Sequence, residues 1–224
     1  MICEQCGRSF TANQNWERYF YPLEEDVFLL CPQCQQEWQR VDEMEHCPYC
    51  GQWKEVTVPC ECEHWRQLDS LFCHQSLYCY NRVAKEWLNR YKIQGDYALR
   101  YVISEAVKQK LAPYRNEIIV PIPLDRAKYH RRGFNQVEGV LQAADLEYQS
   151  LLVKSTSFGV QGLKTREERL RLPQPFAVKK ALDAKQCYLL VDDIYTTGRT
   201  ITHAYQALKS AGAQRIHSFS YLRA

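Results

Sequence analysis

The sequence contains little that would place the protein in a membrane. No apolar run approaches the roughly 20 residues that a helix needs to span a bilayer. The best candidate, residues 187–191, is short and leads into two aspartates. The first residues lack the charged and apolar regions of a signal peptide. We therefore expect a cytoplasmic protein without membrane insertion, in which thiols stay reduced.

Net charge is also small, at +3 from 29 basic and 26 acidic residues, but its distribution is uneven. Residues 1–66 carry 5 basic and 12 acidic side chains, whereas the remainder carries 24 and 14. Eight of the 11 cysteines also lie in residues 1–66. This asymmetry predicts two domains, an acidic cysteine-rich domain at 1–66 and a basic domain at 67–224.

The cysteines of the first domain occur in pairs with the spacing of zinc ligands. Three pairs are separated by two residues and the last pair by one. Two such pairs place four sulfurs around one ion and complete a tetrahedral site. The pattern predicts a double zinc ribbon with two zinc ions. One ion would be bound by Cys3, Cys6, Cys31 and Cys34, and the other by Cys47, Cys50, Cys60 and Cys62.

Other assignments of this domain remain open. A cross-braced arrangement would join the first pair with the third and the second with the fourth. His64 could replace Cys62, because imidazole is an equally acceptable zinc ligand. The acidic charge favours a structural or protein-docking role over DNA binding. The tryptophans of this domain would either cover the metal sites or offer an apolar docking surface. They are Trp38, Trp53 and Trp65.

Beyond residue 80, helical patterns alternate with short apolar runs. Asn81 can cap a helix that ends near Gly95, and a second helix follows. Lys92 lies beside the glycine turn and could meet an anion, although a solvated loop is the default interpretation. Strands are predicted at 118–122, 151–153, 189–191 and 216–222, helices at 134–144 and 200–211, and a charged turn at 123–133. This order predicts an α/β fold with a parallel sheet, in which ligands bind at the carboxyl ends of the strands.

One strand leads directly into a chemically specific segment. Asp192 and Asp193 follow an apolar run, and a loop rich in threonine and glycine comes next. Two adjacent carboxylates can accept hydrogen bonds from the vicinal hydroxyls of a ribose. A loop at a helix N-terminus favours a phosphate. The segment therefore predicts a ribose 5-phosphate site, and it contains neither a Walker loop nor a dinucleotide-binding glycine pattern.

This segment resembles the phosphoribosyl-pyrophosphate (PRPP) motif of type I phosphoribosyltransferases. Tyr195 is a departure, since an aliphatic residue is usual there. Three further features narrow the resemblance to the ComF family of competence proteins, in particular ComFC-like members. They are the cysteine pairs, Val-Pro-Ile-Pro-Leu at 120–124 and Arg-Gly-Phe-Asn-Gln at 132–136. The resemblance covers essentially the whole chain. It implies a type I phosphoribosyltransferase-like domain after the zinc ribbon.

The resemblance also implies roles for individual residues. Asp192 and Asp193 would bind the ribose hydroxyls of a PRPP-like ligand, with magnesium as its counter-ion. The 5-phosphate would be held by Thr196, Thr197, Gly198, Arg199 and Thr200. The pyrophosphate loop would be formed by Pro121, Ile122, Pro123 and Leu124. Lys164, Arg166 and Arg169 would belong to a catalytic loop.

For function, the resemblance implies DNA uptake during natural transformation, with a helicase-like competence ATPase as partner. Such partners would recruit the protein to the inner face of the membrane. A basic cluster with interleaved aromatic residues could also bind single-stranded DNA. Its members are Arg126, Lys128, His130, Arg131 and Arg132, with Tyr129 and Phe134 between and after them. A solvated loop or a pyrophosphate clamp is the alternative interpretation of this cluster. The alternative is an active phosphoribosyltransferase on an unidentified acceptor, and whether the protein turns over a substrate is left open.

Overall fold

The computed structural model describes residues 1–11, 30–43, 47, 49–52, 62, 73–154 and 175–224. Four strands form a parallel sheet in the order β1, β6, β5, β2. They are β1 (His74–Cys79), β2 (Ile118–Pro121), β5 (Cys187–Tyr195) and β6 (Arg215–Arg223). An antiparallel pair stands apart from it, made of β3 (Leu152–Lys154) and β4 (Phe176–Val178). The predicted α/β class with a parallel sheet is confirmed.

Helices cover the sheet. They are α1 (Pro32–Glu37), α2 (Arg82–Asn89), α3 (Tyr101–Leu111), α4 (Arg126–Arg132), α5 (Gln136–Ala143) and α6 (Arg199–Ser210). A π-helix at Arg90–Gln94 extends α2, and 3₁₀ turns lie at Val41–Glu43, Tyr97–Arg100 and Ala112–Tyr114. Asn81 caps α2 through Ala84 N–H, as predicted, and the left-handed Gly95 (φ 78°) ends the extension.

The sheet separates two apolar cores, because neighbouring residues of a strand point to opposite faces. Ile119 and Leu189 pack in the first core, with side chains of α2, α3 and α5. Val120 and Leu190 pack in the second, with side chains of α6 and the β3–β4 pair. Cysteines enter both cores. Cys3, Cys31 and Cys34 belong to the first, and Cys47, Cys50 and Cys62 to the second.

Three elements differ from the sequence-based expectation. The predicted turn at 123–133 contains α4, because the Asp125 carboxylate accepts a hydrogen bond from Lys128 N–H and caps a helix of charged residues. Strand β5 spans Cys187–Tyr195 and is longer than the predicted strand at 189–191, because β6 pairs with it up to Arg223. Strand β4 was not predicted, since three residues carry too short a pattern.

Candidate functional site

Asp192 and Asp193 lie inside the last part of β5 and are buried, at 8% and 7% exposure. The backbone N–H of Asp193 donates to Asp192 Oδ1 at 2.8 Å. Adjacent side chains of a strand point to opposite faces, so the two carboxylates meet different neighbours. Buried carboxylates need compensating charge, and two lysines from distant parts of the chain place positive charge near them.

Lys92 is the partner of Asp193. Its Nζ lies 2.5 Å from Asp193 Oδ2. The π-helix that carries Lys92 is a conformation often found at functional sites. Its turn is held by the ion pair of Arg90 and Asp96 at 2.8 Å. Only a weak sequence signal pointed to this lysine, because nothing in residues 91–96 indicates a contact 101 positions away.

Lys154, at the end of β3, influences the other aspartate. Burial and the charge of Asp193 raise the pKa of Asp192 to about 7, and the charges of Lys92 and Lys154 partly oppose this rise. Burial lowers the pKa of Lys154, with Lys128 adding to the effect. Asp192 can therefore hold or release a proton near neutral pH. Sequence reasoning missed Lys154, which has no motif around it.

The loop after β5 is short and leads into α6. Thr196 and Thr197 are exposed, and Gly198 adopts a left-handed conformation (φ 75°) directly before the helix. The Gly198 carbonyl accepts hydrogen bonds from the backbone N–H and the hydroxyl of Thr202. Arg199 is half-buried, with its Nε 3.4 Å from His203 Nε2, and Thr200 is exposed. The exposed threonine residues and the N-terminus of α6 suit an anion.

The predicted pyrophosphate loop lies beside the aspartates. Pro121 pairs with Val191 in the sheet, and Ile122 N–H donates to the Val191 carbonyl at 2.9 Å. Asn135 Nδ2 donates to the Ile122 carbonyl and fixes the start of the loop. Pro123 and Leu124 then line a groove of about 450 Å³ that does not include the aspartates. The structure thus places this loop next to Asp192 through strand register.

The predicted nucleic-acid cluster forms α4. Arg126, Lys128 and Arg131 are exposed, whereas Arg132 is half-buried and donates to Gln136 Oε1 at 2.9 Å. Tyr129 is 50% exposed and lines the same groove as the pyrophosphate loop. Arg126, Lys154 and Lys179 add positive charge there. The predicted catalytic loop lies outside the described residues, with Lys164, Arg166 and Arg169.

The first cysteine cluster contains Cys3, Cys6, Cys31 and Cys34, whose sulfurs all lie within 4.8 Å of one another. A turn with Gly7 at φ 70° follows Cys6, and its N–H donates to the Cys3 carbonyl. Cys34 sits in the first turn of α1. Trp38 is buried against Tyr78 and Trp87, so it is part of the core. The cross-braced alternative does not occur, since the first two pairs meet.

The second cluster contains Cys47, Cys50 and Cys62, with sulfurs again within 4.8 Å. Gly51 (φ 68°) repeats the turn of the first cluster, and its N–H donates to the Cys47 carbonyl. A Cβ at Gly51 would lie 3.0 Å from Val41 Cγ1, which adds a packing reason for glycine. Cys60 and His64 lie outside the described residues. The identity of a fourth ligand therefore stays a prediction.

Sulfur spacing fits a zinc ion in both clusters. Cys6 Sγ and Cys31 Sγ are 3.8 Å apart, and Cys47 Sγ and Cys62 Sγ are 3.7 Å apart. Four sulfurs at about 2.3 Å from a tetrahedral zinc are separated by about 3.8 Å. A disulfide would need about 2.05 Å. Both clusters could therefore bind zinc.

Fold and site together define an α/β protein with a parallel sheet, a buried acidic pair near the end of one strand, and two cysteine clusters. No family model matches the chain. Curated relatives do. Competence protein ComFC of Streptococcus pneumoniae is 35% identical over 224 residues, all of both chains. Competence protein ComFC of Bacillus subtilis is 30% identical, over all of this chain and 95% of that one.

The chain belongs to the ComFC family of competence proteins. Competence protein F of Haemophilus influenzae is more distant, at 30% identity over 48% of this chain and 51% of that protein. The sequence-based identification of the family is confirmed. Among the described residues, the structure has no helix long and apolar enough to cross a membrane.

Solved structures give a weaker comparison. The allosteric regulatory enzyme of purine biosynthesis has a TM-score of 0.37 and 17% identity, over 55% of this chain and 25% of that one. A purine phosphoribosyltransferase from Pyrococcus horikoshii has a TM-score of 0.31 and 14% identity, over 57% and 83%. At these scores neither similarity supports an argument beyond the α/β class that the sheet itself shows.

Proposed function

We propose that this protein acts in DNA uptake during natural transformation and holds a ribose 5-phosphate or PRPP-type ligand at the carboxyl end of β5. The competence role follows the names of its full-length relatives. The observation that supports the pocket is the buried pair Asp192 and Asp193 directly before an exposed threonine loop and the start of α6. Carboxylates would accept hydrogen bonds from the ribose hydroxyls, and the loop would donate to the phosphate.

The two lysines fit the same ligand. Lys92 forms an ion pair with Asp193, and the charges of Lys92 and Lys154 also act on Asp192. A bound pyrophosphate would bring further negative charge, which these lysines and a magnesium ion would neutralise. The pyrophosphate would then rest against Pro121, Ile122, Pro123 and Leu124.

Titration calorimetry with PRPP and magnesium tests the pocket. Asp192→Asn/Asp193→Asn keeps side-chain volume but removes both charges, so we expect the binding heat to vanish. Asp145→Asn is the matched control, because Asp145 is exposed and its positive φ of 53° suits asparagine. No heat with the wild type, or equal heat with the double variant, would refute the pocket.

We further propose that α4 binds single-stranded DNA. Exposed Arg126, Lys128 and Arg131 can pair with phosphates, and the half-exposed Tyr129 can stack on a base. Affinity for a labelled oligonucleotide should fall with salt, with a log–log slope of about −0.7 per phosphate contacted. Arg126→Ala/Arg131→Ala should lower affinity and slope. Lys85→Ala/Lys108→Ala removes the same charge from exposed positions on α2 and α3 and should change neither.

The partner would be a helicase-like competence ATPase that recruits the protein to the inner face of the membrane. Co-purification with that ATPase from competent cells tests this. Its absence from the purified material, with the ATPase expressed, would argue against the partnership.

Turnover is the second candidate. Asp192, with a pKa raised by burial to about 7, could accept a proton from an incoming nucleophile. The reaction would displace pyrophosphate from the anomeric carbon, so pyrophosphate release measures it. Release that needs both a defined acceptor and Asp192 would establish an enzyme, and release that persists in Asp192→Asn would not.

A further inference from the structure

Arg223 joins the second cysteine cluster to the loop of the proposed pocket. It is the last residue of β6 and is buried, at 7% exposure. Its Nε donates to the Cys50 carbonyl at 2.9 Å, and its Nη1 donates to the carbonyls of Tyr195 and Thr196, both at 3.2 Å. One rigid guanidinium therefore holds the Cys50 turn and the end of β5 in a fixed relation.

The charge of Arg223 needs an anion. A guanidinium stays protonated in proteins, and a buried unpaired charge is costly. None of the described aspartate or glutamate side chains forms an ion pair with Arg223. Its Nη2 instead lies 3.9 Å from Cys50 Sγ. A metal ion keeps its cysteine ligands deprotonated, so an occupied cluster supplies negative charge at this sulfur.

The aromatic ring of Tyr195 also contacts the Arg223 guanidinium. Its buried ring stacks on His74 with centroids 4.0 Å apart, and Arg223 Cζ lies 5.0 Å from the same ring. Both nitrogens of His74 contact serine hydroxyls of β1 and β6. A tyrosine at this position of the motif thus has a physical role, since an aliphatic side chain would offer Arg223 no aromatic face.

We propose that Arg223 is a positioning residue through which metal in the second cluster sets the geometry of the Thr196–Gly198 loop. Loss of the metal frees the turn at Cys47–Cys50, whose Cys50 carbonyl accepts from Arg223 Nε, and Arg223 then holds the loop less firmly. The coupling of cluster and loop stands on the contacts above, while its effect on a ligand rests on the proposed function. Coupling between two sites is reciprocal, so a ligand in the loop would also retain the metal.

Hydrogen exchange without ligand tests the coupling itself. Arg223→Met, and separately Cys47→Ser, should each speed exchange in the peptide covering residues 194–202 by about tenfold. Arg215→Met, at the exposed start of β6, and Cys6→Ser, in the first cluster, should leave this peptide unchanged. Metal analysis confirms that each cysteine variant has lost one zinc ion per chain. If Arg223→Met does not fold, the two cysteine variants decide the question. Unchanged exchange in Cys47→Ser with its metal lost would overturn the proposal.

Metal release gives the reciprocal test, and a merely structural arginine would not affect it. Ribose 5-phosphate should slow zinc transfer to a chromogenic chelator from one of the two clusters, by about fivefold or more. Arg223→Met should abolish this protection, Arg223→Lys should restore part of it, and Arg215→Met should keep it. Protection that survives in Arg223→Met would contradict the assignment. If the wild type shows no binding heat, the proposed function fails, and the exchange result still decides the coupling.

Discussion

The two cysteine clusters offer the same kind of metal ligand but connect to different parts of the candidate site. The first packs with the core on one face of the sheet, and the second packs with the core on the other. Each is bound by an arginine. Arg90 donates to the carbonyls of Glu4 and Gln5, which lie between Cys3 and Cys6, while Arg223 donates to the Cys50 carbonyl.

The two arginines differ in how their charge is balanced. Arg90 pairs with Asp96 at 2.8 Å, and the turn it holds carries Lys92. Arg223 is buried with carbonyl oxygens and a cysteine sulfur. A metal should therefore matter more to the second arginine than to the first. Similar cysteine pairs in one sequence can thus have different electrostatic surroundings. The arginine at the first cluster is paired with a carboxylate, whereas the arginine at the second lies beside a cysteine sulfur.

The largest effect should follow from removing these two side chains. Arg223→Met removes three hydrogen bonds from a charged donor to backbone carbonyls and should lower the free energy of unfolding by about 4 kcal/mol. Arg90→Met removes a partly exposed ion pair and the hydrogen bonds to the Glu4 and Gln5 carbonyls, and should cost about 2 kcal/mol. Denaturant unfolding of both variants measures the difference. Equal losses would remove the distinction between the clusters.

Asp192 should make stability depend on pH. Its folded pKa of about 7 lies above the value of about 3.9 expected in the unfolded chain, because of burial and the charge of Asp193. Stability from the protonated carboxyl is complete below about pH 4 and is lost as the pH rises from there through 7. Asp192→Asn should flatten this decline in denaturant unfolding between pH 4 and 8. A wild-type curve that rises over this range would show the opposite sign.

Lys92 lies in the turn that Arg90 connects to the first cluster, so a substitution there tests this part of the site. Lys92→Met removes the cation 2.5 Å from Asp193 and should weaken PRPP binding by about tenfold, since one charged contact contributes about 1.5 kcal/mol. Lys92→Arg keeps the charge and should retain most of the affinity. Calorimetry compares the two variants. Unchanged affinity in Lys92→Met would show that this ion pair has no part in the pocket.

The clusters should also release metal at different rates, which is the smallest effect. Cys6 is exposed, whereas Cys47, Cys50 and Cys62 are all buried. A chelator should therefore reach the first cluster sooner. Stopped-flow release from the wild type should show two phases, and Cys6→Ser should remove the faster one. Loss of the slower phase instead would reverse the order.

Local patterns predicted much of this molecule. Cysteine spacing gave the first cluster, apolar runs gave the parallel sheet, and Asn81 gave a helix start. The motif around Asp192 and Asp193 identified the acidic pair. Long-range partners could not be predicted, because no local pattern encodes contacts such as Lys92 with Asp193 or Arg223 with Cys50. Short elements such as α4 and β4 were missed because their few residues carry weak periodicity.

We propose above all that the end of β5 and the start of α6 form a ribose-phosphate pocket. Amide chemical-shift mapping with ribose 5-phosphate and magnesium tests it most directly. We expect the largest changes at Asp192, Asp193 and residues 196–200, with smaller changes at Lys92 and at Cys50 through Arg223. Saturable changes confined to α4, or none at millimolar ligand, would contradict it.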